Sequence, residues 1–238
     1  MAFRKSFFLC VVMIVAMFTF TQKTSAQLTV INVPSTDTLQ ERMFYIEADL
    51  LTKPVSYAKG GYQSYGYRTV YGVDRKTEVG VSFFYTRNGQ TSPKELQLSV
   101  KRKVFENEKH GLAATVGALA FIPLNKSAGD RTPIMTYGNL SKTVKSANGL
   151  RVTGGAYAFF NGGKDFGTKS GGMVAVEQPL WKKFTFVADW YTGKNRVGYA
   201  AVGFNWAITK NSFIMPSWNI SNENGAANYF GVFYGVTF

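Results

Sequence analysis

The sequence predicts an all-β chain, a transmembrane up-and-down antiparallel β-barrel of twelve strands. Three observations predict it. From residue 43 onward the chain breaks into segments of roughly ten residues that alternate apolar and polar, divided by clusters of Gly, Asn, Lys and Pro. The composition, with 24 glycines, 16% aromatic and only 17% charged residues, suits a pleated sheet better than a helix. The chain also stops on an aromatic strand, NYFGVFYGVTF, with no polar tail. No stretch after residue 26 is continuously apolar over the roughly 20 residues that a spanning helix needs.

Residues 1–26 read as a secretory signal peptide. Arg4 and Lys5 precede an apolar run from Phe7 to Phe20, and Thr24, Ser25 and Ala26 form a small-residue cleavage site before Gln27. Cys10, the one cysteine, lies inside that run. The mature chain therefore offers no disulfide and no thiolate metal ligand. Loss of Arg4, Lys5 and Lys23 leaves 24 bases against 14 acids, a net charge of +10. A basic balance fits anionic lipid or acidic solutes, whereas export and the absence of a Lys/Arg run argue against nucleic acid. Residues 27–42 contain Pro34 and a Ser, Thr and Asp cluster without any period, and are expected to form a periplasmic lead-in; entry of part of this segment into the lumen is the alternative.

The strands follow in order. The first, 43–52, sends Phe44, Ile46, Ala48 and Leu50 one way and Tyr45, Glu47 and Asp49 the other. The second, near 62–74, sets Tyr65, Tyr67, Tyr71 and Val73 against Ser64, Gly66, Arg68 and Gly72, and a tight turn at 75–77 leads to a third with Val79, Val81, Phe83 and Tyr85 opposite Glu78, Gly80 and Ser82. In the fourth, Leu96, Leu98 and Val100 oppose Glu95, Gln97, Ser99 and Lys101. The fifth is 112–122; the sixth, 134–142, alternates poorly. The seventh, 150–160, and eighth, 171–178, are Gly-rich, with Arg151, Thr153 and Glu177 inward. Phe184, Phe186, Ala188 and Trp190 face out of the ninth while Asp189 faces in, and Ala200, Val202, Phe204 and Trp206 face out of the tenth. Pro216 in the eleventh, 213–220, costs a ladder donor and predicts a bulge or an early end. The twelfth is 228–238, with Phe230, Val232, Tyr234, Val236 and Phe238 on its apolar face. The count is even, as a single-chain bacterial barrel requires, with ten or fourteen as the neighbouring counts.

That last strand resembles the C-terminal strand of Gram-negative outer-membrane β-barrels, and the resemblance implies that those five residues form the signal read by the barrel-insertion machinery. It also implies both termini in the periplasm, with short turns there and longer, Gly- and Asn-rich loops outside. Trp181, Phe184, Trp206, Phe213 and Phe238 would then gather in a periplasmic aromatic girdle. The stretch ADWYTGKNRVGYAAVGFNWAIT, 188–209, resembles a transporter group related to the MetA phenol-degradation outer-membrane proteins, which implies a transport-like role and no individual site residues.

The candidate chemistry is electrostatic. Glu47, Asp49, Arg68, Glu78, Arg151, Glu177 and Asp189 are expected to face the lumen, where they would either form a charged constriction that selects solutes or pair across neighbouring strands and fill the space. Catalysis and metal binding are not expected, and no cofactor is implied: the one histidine, His110, falls in a predicted periplasmic turn, out of reach of any nucleophile near the outer leaflet. Lys59, Arg87, Lys126, Arg131, Lys164, Lys169, Lys194 and Arg196 make the outer loops basic, toward lipopolysaccharide phosphates or anionic solutes. The expected function is a passive channel or transporter for small solutes. The alternative is a closed structural or accessory barrel that binds partner proteins or surface lipid.

Overall fold

The computed structural model describes residues 28–164, 166–223 and 228–238. The predicted signal peptide and its cleavage site lie outside the described residues.

Twelve strands form one closed antiparallel barrel: β1 Phe44–Lys53, β2 Tyr62–Gly72, β3 Thr77–Arg87, β4 Lys94–Asn107, β5 Leu112–Pro123, β6 Ile134–Val144, β7 Leu150–Phe160, β8 Ser170–Trp181, β9 Phe184–Tyr191, β10 Tyr199–Ala207, β11 Ser212–Ser221 and β12 Tyr229–Thr237. Each strand pairs with its sequence neighbours, and β1 pairs with β12 from Tyr45↔Thr237 to Thr52↔Phe230. Closure leaves no strand edge unpaired, which is the condition for backbone polar groups in hydrocarbon. The connections at the end that carries Phe44 and Phe238, here the terminal end, run two to five residues. Those at the opposite, loop end run six to ten.

The alternation produces an outer belt of exposed apolar side chains, among them Phe44, Ile46, Leu98, Val116, Val174, Trp190, Phe204 and Trp218. In a water-soluble fold that would be an unsatisfied surface; on a barrel it is the lipid face. Trp181, Phe184 and Trp206 form part of the terminal-end girdle, with Phe184 stacked on Trp206 at 5.5 Å. Phe213 departs from the expected girdle. It points inward, 3% exposed, and stacks on Tyr45 at 6.4 Å.

Two further local expectations change. β11 runs through Pro216 without a bulge: Gly203 faces Ser217 and Trp206 faces Ile214 in one unbroken register, because Pro216 forfeits a donor but not its extended φ. The register shifts fall instead at Lys103/Phe105 in β4 and Pro179/Trp181 in β8. β4 consequently reaches Asn107, which leaves only 108–111 for the turn before β5. In the turn between β2 and β3, the Lys76 N–H donates to the Asp74 carboxylate at 2.6 Å and holds that acid below its ordinary range.

The main correction concerns the segment before the barrel. The sequence predicts a periplasmic lead-in over 27–42; residues 28–39 instead lie inside the barrel, with Leu28, Val30, Ile31, Val33 and Leu39 at most 4% exposed. At Arg42 the backbone adopts φ +64° and the chain reverses from the lumen into β1. Gly72 makes room for the entry, since a Cβ there would meet the Gln40 carbonyl oxygen at 2.0 Å. Residues 28–35 fold as a small hairpin, bridged at Thr29↔Pro34 and closed by Ser35 N–H donating to the Leu28 carbonyl at 3.0 Å.

Candidate functional site: the plugged lumen

A segment laid inside a barrel must satisfy from the wall the backbone groups that its own short hairpin leaves unpaired. The wall supplies them through the inward acids. The Asp189 carboxylate on β9 points at the hairpin tip, and one of its oxygens accepts from the N–H groups of Ile31, Asn32 and Val33 at 2.9, 2.6 and 2.7 Å. Successive N–H groups converging on one anion form a concave nest, which neutralises a charge that burial would otherwise penalise. Asn32 Nδ2 also donates to Asn219 Oδ1 at 2.9 Å.

Lower in the lumen, Glu78 accepts the Leu39 N–H at 2.7 Å and pairs with Lys101 at 2.9 Å, and Lys101 in turn donates to the Leu28 carbonyl at 3.2 Å. Arg151 lies between Glu177 on β8, at 2.7 Å through Nη2, and Asp37 of the plug, at 2.6 Å. Ser141 and Thr36 share a hydrogen bond, and Asn139 donates to the Pro34 carbonyl.

The seven predicted lumen residues therefore all face inward, but they do not form one ring around an open path. Three pairs, Glu47–Arg68, Glu78–Lys101 and Arg151–Glu177, sit in direct cross-strand register, so the wall neutralises much of its own charge. Glu78, Arg151 and Asp189 also bind the plug directly. Among the described residues the lumen groups named so far are six acids (Asp37, Glu47, Asp49, Glu78, Glu177 and Asp189) against three bases (Arg68, Lys101 and Arg151), a balance of −3; Glu95 and Lys103, one acid and one base nearer the two ends, leave it unchanged.

Above the hairpin, toward the loop end, a cavity of about 480 Å³ remains, floored by Ile31, Asn32, Asp49 and Arg68 and walled by Phe84, Tyr191, Tyr229 and Phe233. A second basin of about 730 Å³ opens between the loops. Glu95 and Arg196 line both, so their contact divides them. Arg196 belongs to the β9–β10 connection, on the opposite side of the ring from β4, and crosses the mouth to reach both Glu95 oxygens at 2.7 Å. Its guanidinium also lies over the Phe121 ring at 4.2 Å. Asn195, in the same connection, is buried and donates to the Tyr157 hydroxyl at 2.9 Å and to the Thr168 carbonyl at 2.7 Å. His110, by contrast, is exposed in the β4–β5 turn at the terminal end.

Sequence reasoning missed Asp37, Asn32, Asn139 and Asn219 as plug-holding residues, and Arg196 as a strut rather than a free rim charge. A usable signal existed for the plug: residues 28–39 carry five large aliphatics, more than a solvated linker keeps.

No protein-family model matches the chain, and no curated protein sequence does. Solved structures do match its fold. A KdgM porin superposes with a TM-score of 0.59 at 10% identity, over 82% of this chain and 98% of that one. The COG4313 outer membrane channel from Pseudomonas putida F1 gives 0.54 at 13% identity, over 86% and 98%. The Acinetobacter baumannii outer membrane protein Omp33 gives 0.50 at 10% identity, over 84% and 100%. The fold is thus shared with these outer-membrane β-barrels.

Proposed function

We propose that this protein is an outer-membrane channel for small solutes whose lumen is occupied by its own N-terminal segment. One observation carries the proposal: the barrel is complete without the plug. Every strand ladder runs from wall to wall, β1 to β12 included, and no plug residue belongs to one of the twelve strands. The plug's polar bonds to the wall are of a kind that water can replace once it enters. Removing the segment would leave a closed wall around a path with a net negative interior, which favours cations.

In this reading the terminal end faces the periplasm and the basic loops face outward toward lipopolysaccharide. Phe230, Val232, Tyr234, Val236 and Phe238 engage the insertion machinery after signal-peptide cleavage near Ala26. The MetA-like resemblance of 188–209 agrees with transport. No catalytic step is assigned, since His110 stands outside the lumen.

The test is conductance in planar bilayers of the wild type and of a variant lacking residues 28–39. The variant is expected to show larger, cation-selective unitary currents. A silent variant, still folded by its heat-dependent gel migration, would overturn the channel reading. The packed lumen would then favour the second reading, a closed accessory barrel that works through partner proteins or surface lipid.

A further inference from the structure

Asp49 is 5% exposed, and neither of its carboxylate oxygens accepts a hydrogen bond. Buried carboxylates are ordinarily hydrogen-bonded or closely paired, so this one calls for an explanation. Its ion pair with Arg68 is long, 3.8 Å, because Arg68 leans to Glu47 at 3.2 Å. Glu47 Oε1 likewise accepts no hydrogen bond, while the Tyr45 hydroxyl donates to Oε2. Two carboxylates thus share one guanidinium, a formal balance of −1 at the floor of the cavity.

The strand register places aromatic residues on both sides of this charge. Phe233 on β12 stands opposite Asp49, Gly66 on β2 stands opposite it on the other flank, and Phe84 on β3 stands opposite Gly66. Asp49 therefore sits in a cross-strand row between two phenyl rings. Gly66 is required there: a Cβ would come 2.9 Å from Asp49 Oδ2 and 2.4 Å from the Phe84 ring. An anion finds no vacant partner in the same space, since Arg68 is engaged as above and Arg196 is held by Glu95.

We propose that the vestibule floor is a seat for a small organic cation, an ammonium group carried on an apolar body, with Asp49 as counter-ion and the rings of Phe84 and Phe233 beside it. The cavity of about 480 Å³ lies within the range of small-molecule sites. Aromatic faces beside a carboxylate attract an ammonium by both charge and ring quadrupole. The inference deepens the channel reading by naming its solute class, but its measurement does not need conduction.

Calorimetric titration of the folded protein in detergent with phenethylammonium, 2-phenylethanol and phenylacetate tests it. Phenethylammonium is expected to bind at least about tenfold tighter than the neutral alcohol, and phenylacetate weaker than both. Asp49→Asn is expected to erase the preference, and Gly66→Ala, whose Cβ would push the Phe84 ring away from Asp49, to weaken phenethylammonium binding. Equal affinity for the ammonium and the alcohol overturns the proposal, as does a preference that survives Asp49→Asn. Should Asp49→Asn fail to fold, the wild-type ratio and Gly66→Ala still decide. A protein that binds phenethylammonium but never conducts would sink the channel reading and keep the seat; a conducting barrel without the preference would do the reverse.

Discussion

Replacing Asp189 with Ala should free the hairpin tip while leaving the barrel closed. The carboxylate accepts three backbone N–H groups, those of Ile31, Asn32 and Val33, which have no other acceptor among the described residues. A hydrogen bond to an ionised group contributes about 1.5–3 kcal/mol, so three set a gross loss of roughly 4.5–9 kcal/mol. Water entering from the cavity above recovers part of it, and a net cost of about 3 kcal/mol for holding the tip in place is the working figure. The apolar burial of Ile31 and Val33 remains, at about 1.5–3 kcal/mol each, so the tip should loosen rather than leave. A local opening favoured by about 3 kcal/mol is sampled on the order of a hundredfold more often. Cys10 is the chain's only cysteine and lies outside the barrel sequence, so Ile31→Cys introduces a single thiol at the tip. Maleimide labelling of that thiol should accelerate about a hundredfold on adding Asp189→Ala. Asp189→Asn keeps an accepting oxygen and should fall between. An unchanged labelling rate in Asp189→Ala would refute the claim that this carboxylate holds the tip.

Other perturbations test the remaining contacts. Lys101→Met alone leaves the Glu78 carboxylate buried with only the Leu39 N–H, and should cost about 3–5 kcal/mol in denaturant unfolding. The double variant Glu78→Gln/Lys101→Met should recover most of that; simple additivity would show that the pair is not coupled. Arg196→Ala should cost less than about 1 kcal/mol, because the Arg196 side chain is 34% exposed, yet it should raise the unitary conductance of the plug-free barrel by removing the strut. Unaltered conductance would place the narrowing elsewhere. In that same plug-free barrel, Arg68→Ala should shift the reversal potential under a salt gradient toward cations, and no shift would remove Arg68 from the permeation path. Deleting Phe238 should cut the yield of assembled barrel, since its N–H and C=O both bond to Phe44 and close the β1–β12 seam at the terminal end; a normal yield would count against its role in assembly.

The wall was legible because strand alternation is a local property. Even β6, whose pattern is poor, could be placed: Met135, Tyr137, Asn139 and Ser141 face in, and the weak alternation arises because its inner face carries two large side chains that fill the lumen. The cross-strand pairs follow from register and were readable as a class. The plug was not, because a segment without regular structure has no period to read, and its anchor on Asp189 lies 158 residues from Ile31. Arg196 and Glu95, 101 residues apart, escape for the same reason: only closure of the ring brings opposite walls to one mouth.

The reversal at Arg42 makes the plug a tethered ligand of its own barrel. A short tether holds its partner at an effective concentration on the order of 1 mM, so a segment with an intrinsic Kd of only about 10 μM would be docked roughly 99 times in 100. Occlusion therefore demands far less affinity from residues 28–39 than a separate inhibitor would need. The same peptide supplied free at micromolar concentration would leave most barrels empty, so the covalent link at Gln40 to Met43, and not the strength of any single bond inside, is what keeps the lumen filled while leaving it within reach of release.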